Sequence, residues 1–156
     1  MADAPSADKL TELSLSLLAD AAFVFAERSP EPLATNQSML VARLLIEHDV
    51  KWELVVCVEL DLGMVLAANL LGIENDSDEA RNAAGDAVGE LANILAGSVS
   101  IEFHGVHTIC KIGIPTVAVE PGQIFGGTLA KATRNCHFVT EEGAHLAIAL
   151  VPRGKA

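Results

Sequence analysis

The chain has 156 residues, of which 51% are hydrophobic and 20% are charged, and this balance predicts one globular domain and excludes a disordered chain. Its formal net charge of -11 argues against DNA, RNA and anionic membrane surfaces as partners, because binding to phosphates requires clustered Lys and Arg. We therefore expect a single domain over residues 1–156, with residues 1–8 flexible.

The first predicted elements are a helix and a hairpin. From Asp8 to Glu27 apolar residues recur every three or four positions, which indicates an amphipathic helix, and the Ser-Pro-Glu-Pro segment at 29–32 ends it. Two runs rich in Val, Ile and Leu follow, Met39–Glu47 and Trp52–Leu60. A polar break at residues 48–51 separates them, so we predict a β-hairpin.

The middle of the chain is predicted to form two helices. Asp61–Gly72 is apolar and ends at a glycine, which suits a short helix with a glycine cap. Residues 74–78 then supply polar capping side chains for a longer helix that reaches about Ile101.

The last third of the chain is predicted to be mostly strand. The strand from Ile109 to Glu120 is interrupted by Gly113 and Pro115, which places it at a sheet edge or bend. Ala132–Thr140 and Ala144–Pro152 flank a glycine-containing turn and form a second hairpin. The order of elements predicts an α/β (α+β) fold with two pseudo-repeated helix-plus-hairpin units, in which long helices pack on a mostly antiparallel sheet.

The cysteines and the N-terminal residues indicate in which cellular compartment the protein is expected. Cys57, Cys110 and Cys136 are odd in number and widely spaced, a pattern typical of reduced, buried thiols. The first residues carry no basic region of a signal peptide, and polar side chains interrupt the apolar stretch from Leu10 to Ala26. We therefore expect a cytoplasmic protein.

One face of the long helix is polar. At about 100° per residue, six residues fall near one line down the helix: Glu79, Asn82, Asp86, Glu90, Asn93 and Gly97. The opposite line is apolar: Ala84, Val88, Leu91, Leu95 and Val99. Because burying unpaired carboxylates is unfavourable, the apolar line is predicted to pack on the sheet. Any surface helix has a polar face, so periodicity alone assigns no function.

Three glycines, Gly85, Gly89 and Gly97, lie within this helix and lower its helix propensity. Their presence predicts close approach of another backbone. Tight packing within the domain explains them equally well.

The motif Asp86-x-x-x-Glu90-x-x-Asn93, set among small residues, resembles the phosphatase motif of the CheC/CheX/FliY chemotaxis family. Residues 111–117, a strand with a proline, resemble the strand that follows this helix in CheX. With the preceding helix-and-hairpin half, the resemblance covers most of the chain and is strongest to CheX.

The first helix departs from the two-site members of that family. CheC-like members carry a second Glu/Asn pair there, whereas this helix has Glu12, Ser16 and Asp20 with no matching Asn. The resemblance therefore implies a single site per chain, as in CheX, and a homodimer.

The resemblance implies an enzyme that hydrolyses the aspartyl phosphate of a CheY-like response regulator. Phosphoryl transfer depends on positioning and charge neutralisation, and Asn93 is the candidate to orient the attacking water. Glu90, one turn away on the same face, is the candidate to pair with the receiver's Lys. Asp86 is expected to contact the partner. The Mg²⁺ is supplied by the receiver, so no cofactor is expected on this chain.

Other functions remain open at this point. The same face fits a non-catalytic module that docks on a receiver or a flagellar-switch protein, for example to modulate receptor methylation, although the intact Glu90/Asn93 pair favours catalysis. A dimeric structural protein that pairs through a sheet edge is a third possibility. His104-x-x-His107 with Cys110 lacks a common zinc spacing and a second ligand pair, so no metal site is expected.

Overall fold

The computed structural model describes residues 5–29, 37–105, 110–122, 132 and 134–155. Within these residues it contains three helices and seven strands. In chain order they are α1 Ala7–Ala22, β1 Ala26–Arg28, β2 Ser38–Glu47, β3 Val50–Glu59, α2 Leu60–Leu71, α3 Asp78–His104, β4 Lys111–Ile112, β5 Thr116–Pro121, β6 Arg134–Thr140 and β7 His145–Lys155.

All seven strands belong to one antiparallel sheet. Its order is β1-β6-β7-β3-β2, and β4 and β5 both pair with β2 on its outer edge. The two predicted hairpins are β2–β3 and β6–β7, and they join at the centre of the sheet, where β3 pairs with β7. The predicted α+β fold, with helices packed on a mostly antiparallel sheet, is confirmed.

The sheet is buried on both faces at its centre. Successive strand residues point to opposite faces, and Leu40 and Ala42 of β2 belong to the large core shared with the helices. Met39 and Val41, which alternate with them, belong to a smaller apolar cluster that includes Val55. This two-sided burial explains why residues 39–42 of β2 and residues 54–58 of β3 are uninterrupted apolar runs rather than alternating ones.

The first helix is shorter than the sequence predicts. It begins at Ala7, where the Ser6 hydroxyl accepts a hydrogen bond from the Lys9 N–H at 3.1 Å, and ends at Ala22. Phe23 adopts a left-handed conformation with φ 54° and ψ 33°, and the Val24 N–H donates to the Leu18 carbonyl at 2.8 Å. The prediction that this helix continues to Glu27 is wrong, because the next residues form β1 against β6. Residues 30–32 of the predicted stop signal lie outside the described residues.

The other predicted boundaries are close to those observed. The first hairpin has a tighter turn, with only residues 48 and 49 between its strands. Gly72 ends α2 with φ 70°, as the glycine cap predicted. The Ser77 hydroxyl accepts from the Ala80 N–H at 2.9 Å and so caps α3. No helix in the described part of the chain is long and apolar enough to cross a membrane.

Two of the three thiols lie in the core. Cys57 and Cys136 are buried and free, which confirms their prediction, whereas Cys110 is only half-buried. Burial raises the pKa of both buried thiols, and this lowers the fraction of reactive thiolate at neutral pH.

We expect Cys57 and Cys136 to resist thiol reagents in the folded protein. In a Cys110→Ser variant, reaction with a chromogenic disulfide should be at least about tenfold slower than in the urea-unfolded chain, because only the exposed thiolate reacts. The unfolded chain of the same variant is the control. Rapid reaction of two thiols under native conditions would show that the core around them opens.

Candidate functional site

The polar face of α3 lies in solvent. Asp86, Glu90 and Asn93 are all exposed. Among the described residues, none forms a hydrogen bond or an ion pair with these three side chains. The predicted apolar line is at most 1% exposed at every position: Ala84, Val88, Leu91, Leu95 and Val99. The predicted orientation of the helix is therefore confirmed.

Two glycines bring α3 close to the edge strand β5. A Cβ added to Gly89 would lie 3.3 Å from Val117 Cγ2 and 3.8 Å from Pro115 Cβ. A Cβ added to Gly85 would lie 3.6 Å from Val117 Cγ1. At Gly85 and Gly89 the predicted packing within the domain is observed. A Cβ added to Gly97 would meet none of the described residues within 4 Å.

Residues 113–115 interrupt the edge of the sheet beside α3. β4 pairs with the end of β2 at Ile46 and Glu47, and β5 pairs with its first part, Ser38 to Arg43. The Gly113 N–H donates to the Leu45 carbonyl at 2.8 Å, so the detour is anchored to β2. The side chain that follows, Ile114, is 89% exposed. The predicted interruption of this strand at a sheet edge is confirmed.

An open cleft of about 440 Å³ lies between α3 and this interrupted edge. One wall carries the three polar side chains of Asp86, Glu90 and Asn93, and Gly89 lies among them. The other wall is largely apolar: Ile112, Gly113, Ile114, Pro115 and Val117. The three predicted site residues are therefore brought together in one cleft.

The apolar wall is the part of the site that the sequence did not predict. The sequence predicts an edge strand with a bend here, and the resemblance to CheX places that strand after the helix in the chain, but neither predicts that it faces the polar residues of α3. The available signal was the pair Gly85 and Gly89, four residues apart on one helix face, which marks where another element approaches. The polar residues of the first helix, Glu12, Ser16 and Asp20, lie on α1 and do not line the cleft.

The polar side chains of the cleft are suited to positioning a bound molecule rather than to nucleophilic attack on it. An amide such as that of Asn93 both donates and accepts hydrogen bonds, and a carboxylate such as that of Glu90 accepts them from a cation. The described residues that line the cleft include no Cys, Ser or His. Across the described residues, no group of three or more His, Cys, Asp or Glu side chains is arranged to hold a metal ion. The side chains present can orient groups of a bound molecule by charge and hydrogen bonding.

Comparison with protein families decides where the chain belongs. The family model described as chemotaxis phosphatase CheX matches residues 41–133, a span that contains α3 and both walls of the cleft. This chain belongs to the CheX family. The sequence resemblance to CheX, carried by Asp86, Glu90 and Asn93, is thereby confirmed at the level of the family.

Solved structures share the fold of this CheX-family chain at low sequence identity. A chemotaxis protein of Desulfovibrio vulgaris Hildenborough is 15% identical, with a TM-score of 0.68 over 94% of this chain and 96% of that chain. CheX of Desulfovibrio desulfuricans is 14% identical, with a TM-score of 0.65 over 94% of this chain and 98% of that one.

A third structure contains a partner protein. It is the CheX–CheY–BeF3–Mg²⁺ complex of Borrelia burgdorferi, whose matching chain is 16% identical with a TM-score of 0.64 over 96% of this chain and 99% of that chain. Among curated proteins no significant match was found. At these identities the solved structures establish the fold, and the family model establishes the family.

Proposed function

We propose that this CheX-family chain hydrolyses the aspartyl phosphate of a CheY-like response regulator in chemotaxis or a related two-component pathway. The observation that carries the proposal is the exposed pair Glu90 and Asn93, one helical turn apart in an open cleft. The family description and the CheX–CheY complex of Borrelia burgdorferi support the same partner class.

Asn93 is the residue that acts on the phosphorylated centre in this proposal. The transferring phosphoryl group needs an in-line water and little covalent help from the enzyme. The Asn93 amide can accept a hydrogen bond from that water and donate one to an oxygen beside it. Its side chain is exposed on a capped helix whose opposite face is buried, so its position is fixed by the fold while its amide stays available.

Glu90 docks and orients the receiver. Its carboxylate is exposed and, among the described residues, has no cationic partner, so it is available for a Lys of the receiver. A helix rises about 1.5 Å per residue, so Glu90 and Asn93 reach neighbouring groups of one bound domain. Asp86, one turn further toward the N-terminus of α3, contacts the rim of the partner.

The metal in the reaction belongs to the substrate in this proposal. Receiver domains bring Mg²⁺ with their own carboxylates, and the ion neutralises charge on the phosphoryl oxygens. This chain then needs no cofactor of its own. Its contribution is the positioned amide of Asn93 and the carboxylate of Glu90.

The proposal includes a cytoplasmic homodimer. β5 pairs with β2 alone among the described strands, so its outer edge is unpaired within that part of the chain. Val119 on this strand is 67% exposed. An unpaired antiparallel edge can pair with its own copy across a two-fold axis. Light scattering during size-exclusion chromatography should therefore give twice the chain mass.

The decisive experiment follows phosphate loss from receivers labelled with radioactive phosphate at their aspartate. We expect the wild-type chain to accelerate this loss for at least one CheY-like receiver from its own genome. Binding of each receiver is measured in parallel with a beryllofluoride-activated form. Binding without acceleration for every receiver would replace the phosphatase function with that of a binding module.

A further inference from the structure

A second groove lies where α1 ends, beside the turn between β6 and β7. Its volume is about 460 Å³, and none of the described residues that line it also lines the cleft on α3. Two aromatic side chains line it, Phe23 and Phe25. Four carboxylates line it as well: Glu59, Asp61, Glu141 and Glu142.

Phe23 is an unusual residue for its position. Its φ of 54° lies in the left-handed region, which glycine adopts easily and a bulky side chain disfavours. Its side chain is 67% exposed, so it adds little to the core. The next residue, Val24, is buried, with only 5% of its surface exposed, whereas Phe25 is 57% exposed. Two aromatic rings are thus exposed to solvent. One of them, Phe23, occupies a backbone conformation at the end of α1 that its side chain disfavours.

The backbone that carries these rings is fixed on both sides. The Asn69 side-chain amide of α2 donates to the Ala22 carbonyl at 2.8 Å. The Glu141 N–H donates to the Phe25 carbonyl at 3.2 Å, which ties the second ring to the β6–β7 turn. The turn itself is closed by the Gly143 N–H donating to the Thr140 carbonyl at 2.9 Å. The groove is therefore preformed by helix and sheet.

We propose that this groove binds a basic segment of a partner protein in which an apolar side chain is flanked by Lys or Arg. The apolar side chain would pack between Phe23 and Phe25, and the cations would contact the surrounding carboxylates and the faces of the rings. None of the described residues lining the groove is Lys or Arg, so the charge is uniformly negative there. This surface lies outside the cleft assigned to the receiver.

The negative charge of the groove argues against two other occupants, a second copy of the chain and an anionic membrane. A second copy of the chain would bring the same four carboxylates together across a two-fold axis, with like charges facing each other. An anionic membrane would be repelled by the same side chains. A basic segment complements both the charge and the apolar rings.

The test uses a fluorescein-labelled peptide with a central Leu flanked on each side by two Lys residues, and fluorescence anisotropy. We expect binding that weakens as salt rises, and at least about a tenfold loss of affinity for Phe23→Gly, because an aromatic anchor is removed. Phe23→Gly should keep or raise the thermal midpoint, because glycine suits the left-handed conformation. Phe25→Ala is a second variant with the same expected loss of affinity.

Controls separate the groove from general attraction to an acidic protein. Leu71→Ala removes another exposed apolar side chain, 44% exposed, and Glu79→Gln removes an exposed carboxylate outside the groove. Both variants should bind the basic peptide with wild-type affinity. The wild-type chain should not bind a control peptide that has Glu in place of Lys. The proposal is overturned if the basic peptide does not bind, if Glu79→Gln weakens binding as much as Phe23→Gly, or if Phe23→Gly converts a dimer to monomer.

Discussion

Replacing Asn93 with alanine is expected to remove most of the acceleration of receiver dephosphorylation while leaving receiver binding close to that of the wild type. The amide acts only where the water meets the phosphoryl group, so its loss raises the barrier without removing docking contacts. Loss of one preorganised hydrogen-bonding group in an active site lowers rates by about 100-fold or more. The measurement is the single-turnover rate with labelled receiver, beside the affinity for beryllofluoride-activated receiver.

Fold stability separates this effect from damage to the protein. Asn93 is exposed, and alanine is a better helix former than asparagine, so the unfolding midpoint should not fall. Asn82→Ala, on the same helix face but outside the cleft, is the matched control and should keep the wild-type rate. An Asn93→Ala protein that dephosphorylates the receiver at the wild-type rate would remove this residue from the mechanism.

Replacing Glu90 is expected to weaken receiver binding, in contrast to the effect of Asn93→Ala on the dephosphorylation rate. Glu90→Ala removes a docking carboxylate, so receiver affinity should fall by roughly tenfold. Because the lost interaction is between charges, wild-type binding should be more sensitive to salt than binding by this variant. Equal loss of affinity in Glu90→Ala and Asn93→Ala would mean that the two side chains do not divide docking from chemistry as proposed.

Replacing Leu91 with alanine is expected to lower the free energy of unfolding by about 2–5 kcal/mol, because it leaves a cavity in a packed core. Leu91 is 1% exposed and belongs to the main core cluster, although it is the immediate neighbour of the exposed Glu90. Urea unfolding followed by circular dichroism measures the change, at one protein concentration for all variants because dimerisation adds to apparent stability.

The contrast with an exposed position on the same helix makes this test specific. Asn82→Ala, one of the exposed positions of the polar line, should change the free energy of unfolding by less than about 0.5 kcal/mol. If Leu91→Ala were equally mild, α3 would be rotated from the orientation described. Asp86, Glu90 and Asn93 would then not share the cleft, and the proposed site would lose its basis.

The sequence was sufficient where a local pattern has a single structural solution. The polar and apolar lines of α3 predicted its orientation, because the helical repeat places Glu90 and Asn93 opposite Leu91 and Leu95. Gly72 predicted where α2 ends, through a positive φ, and the polar segment 74–78 predicted where α3 begins, with Ser77 as the cap that is observed. These signals act within a few residues, so no knowledge of the rest of the chain was needed.

The end of α1 shows where local pattern was misleading. The apolar spacing continues through Val24 and Phe25, and no glycine or proline marks the turn at Phe23. Pairing of β1 with β6, more than a hundred residues away in the chain, competes with the helix and prevails. Because such pairing depends on distant residues, the position of Phe23 and the groove beside it were not predicted from the sequence.

By itself, the sequence determined the three helices, the two hairpins, the resemblance to CheX and the three polar residues of α3, because each depends on the spacing of residues that are close in the chain. Only the tertiary structure decided what faces those residues. The packing of Val117 against Gly85 and Gly89 sets the apolar wall opposite Glu90 and Asn93, and that contact joins residues about thirty positions apart. A helix carries its own periodicity, whereas a cleft exists only when a second element approaches it.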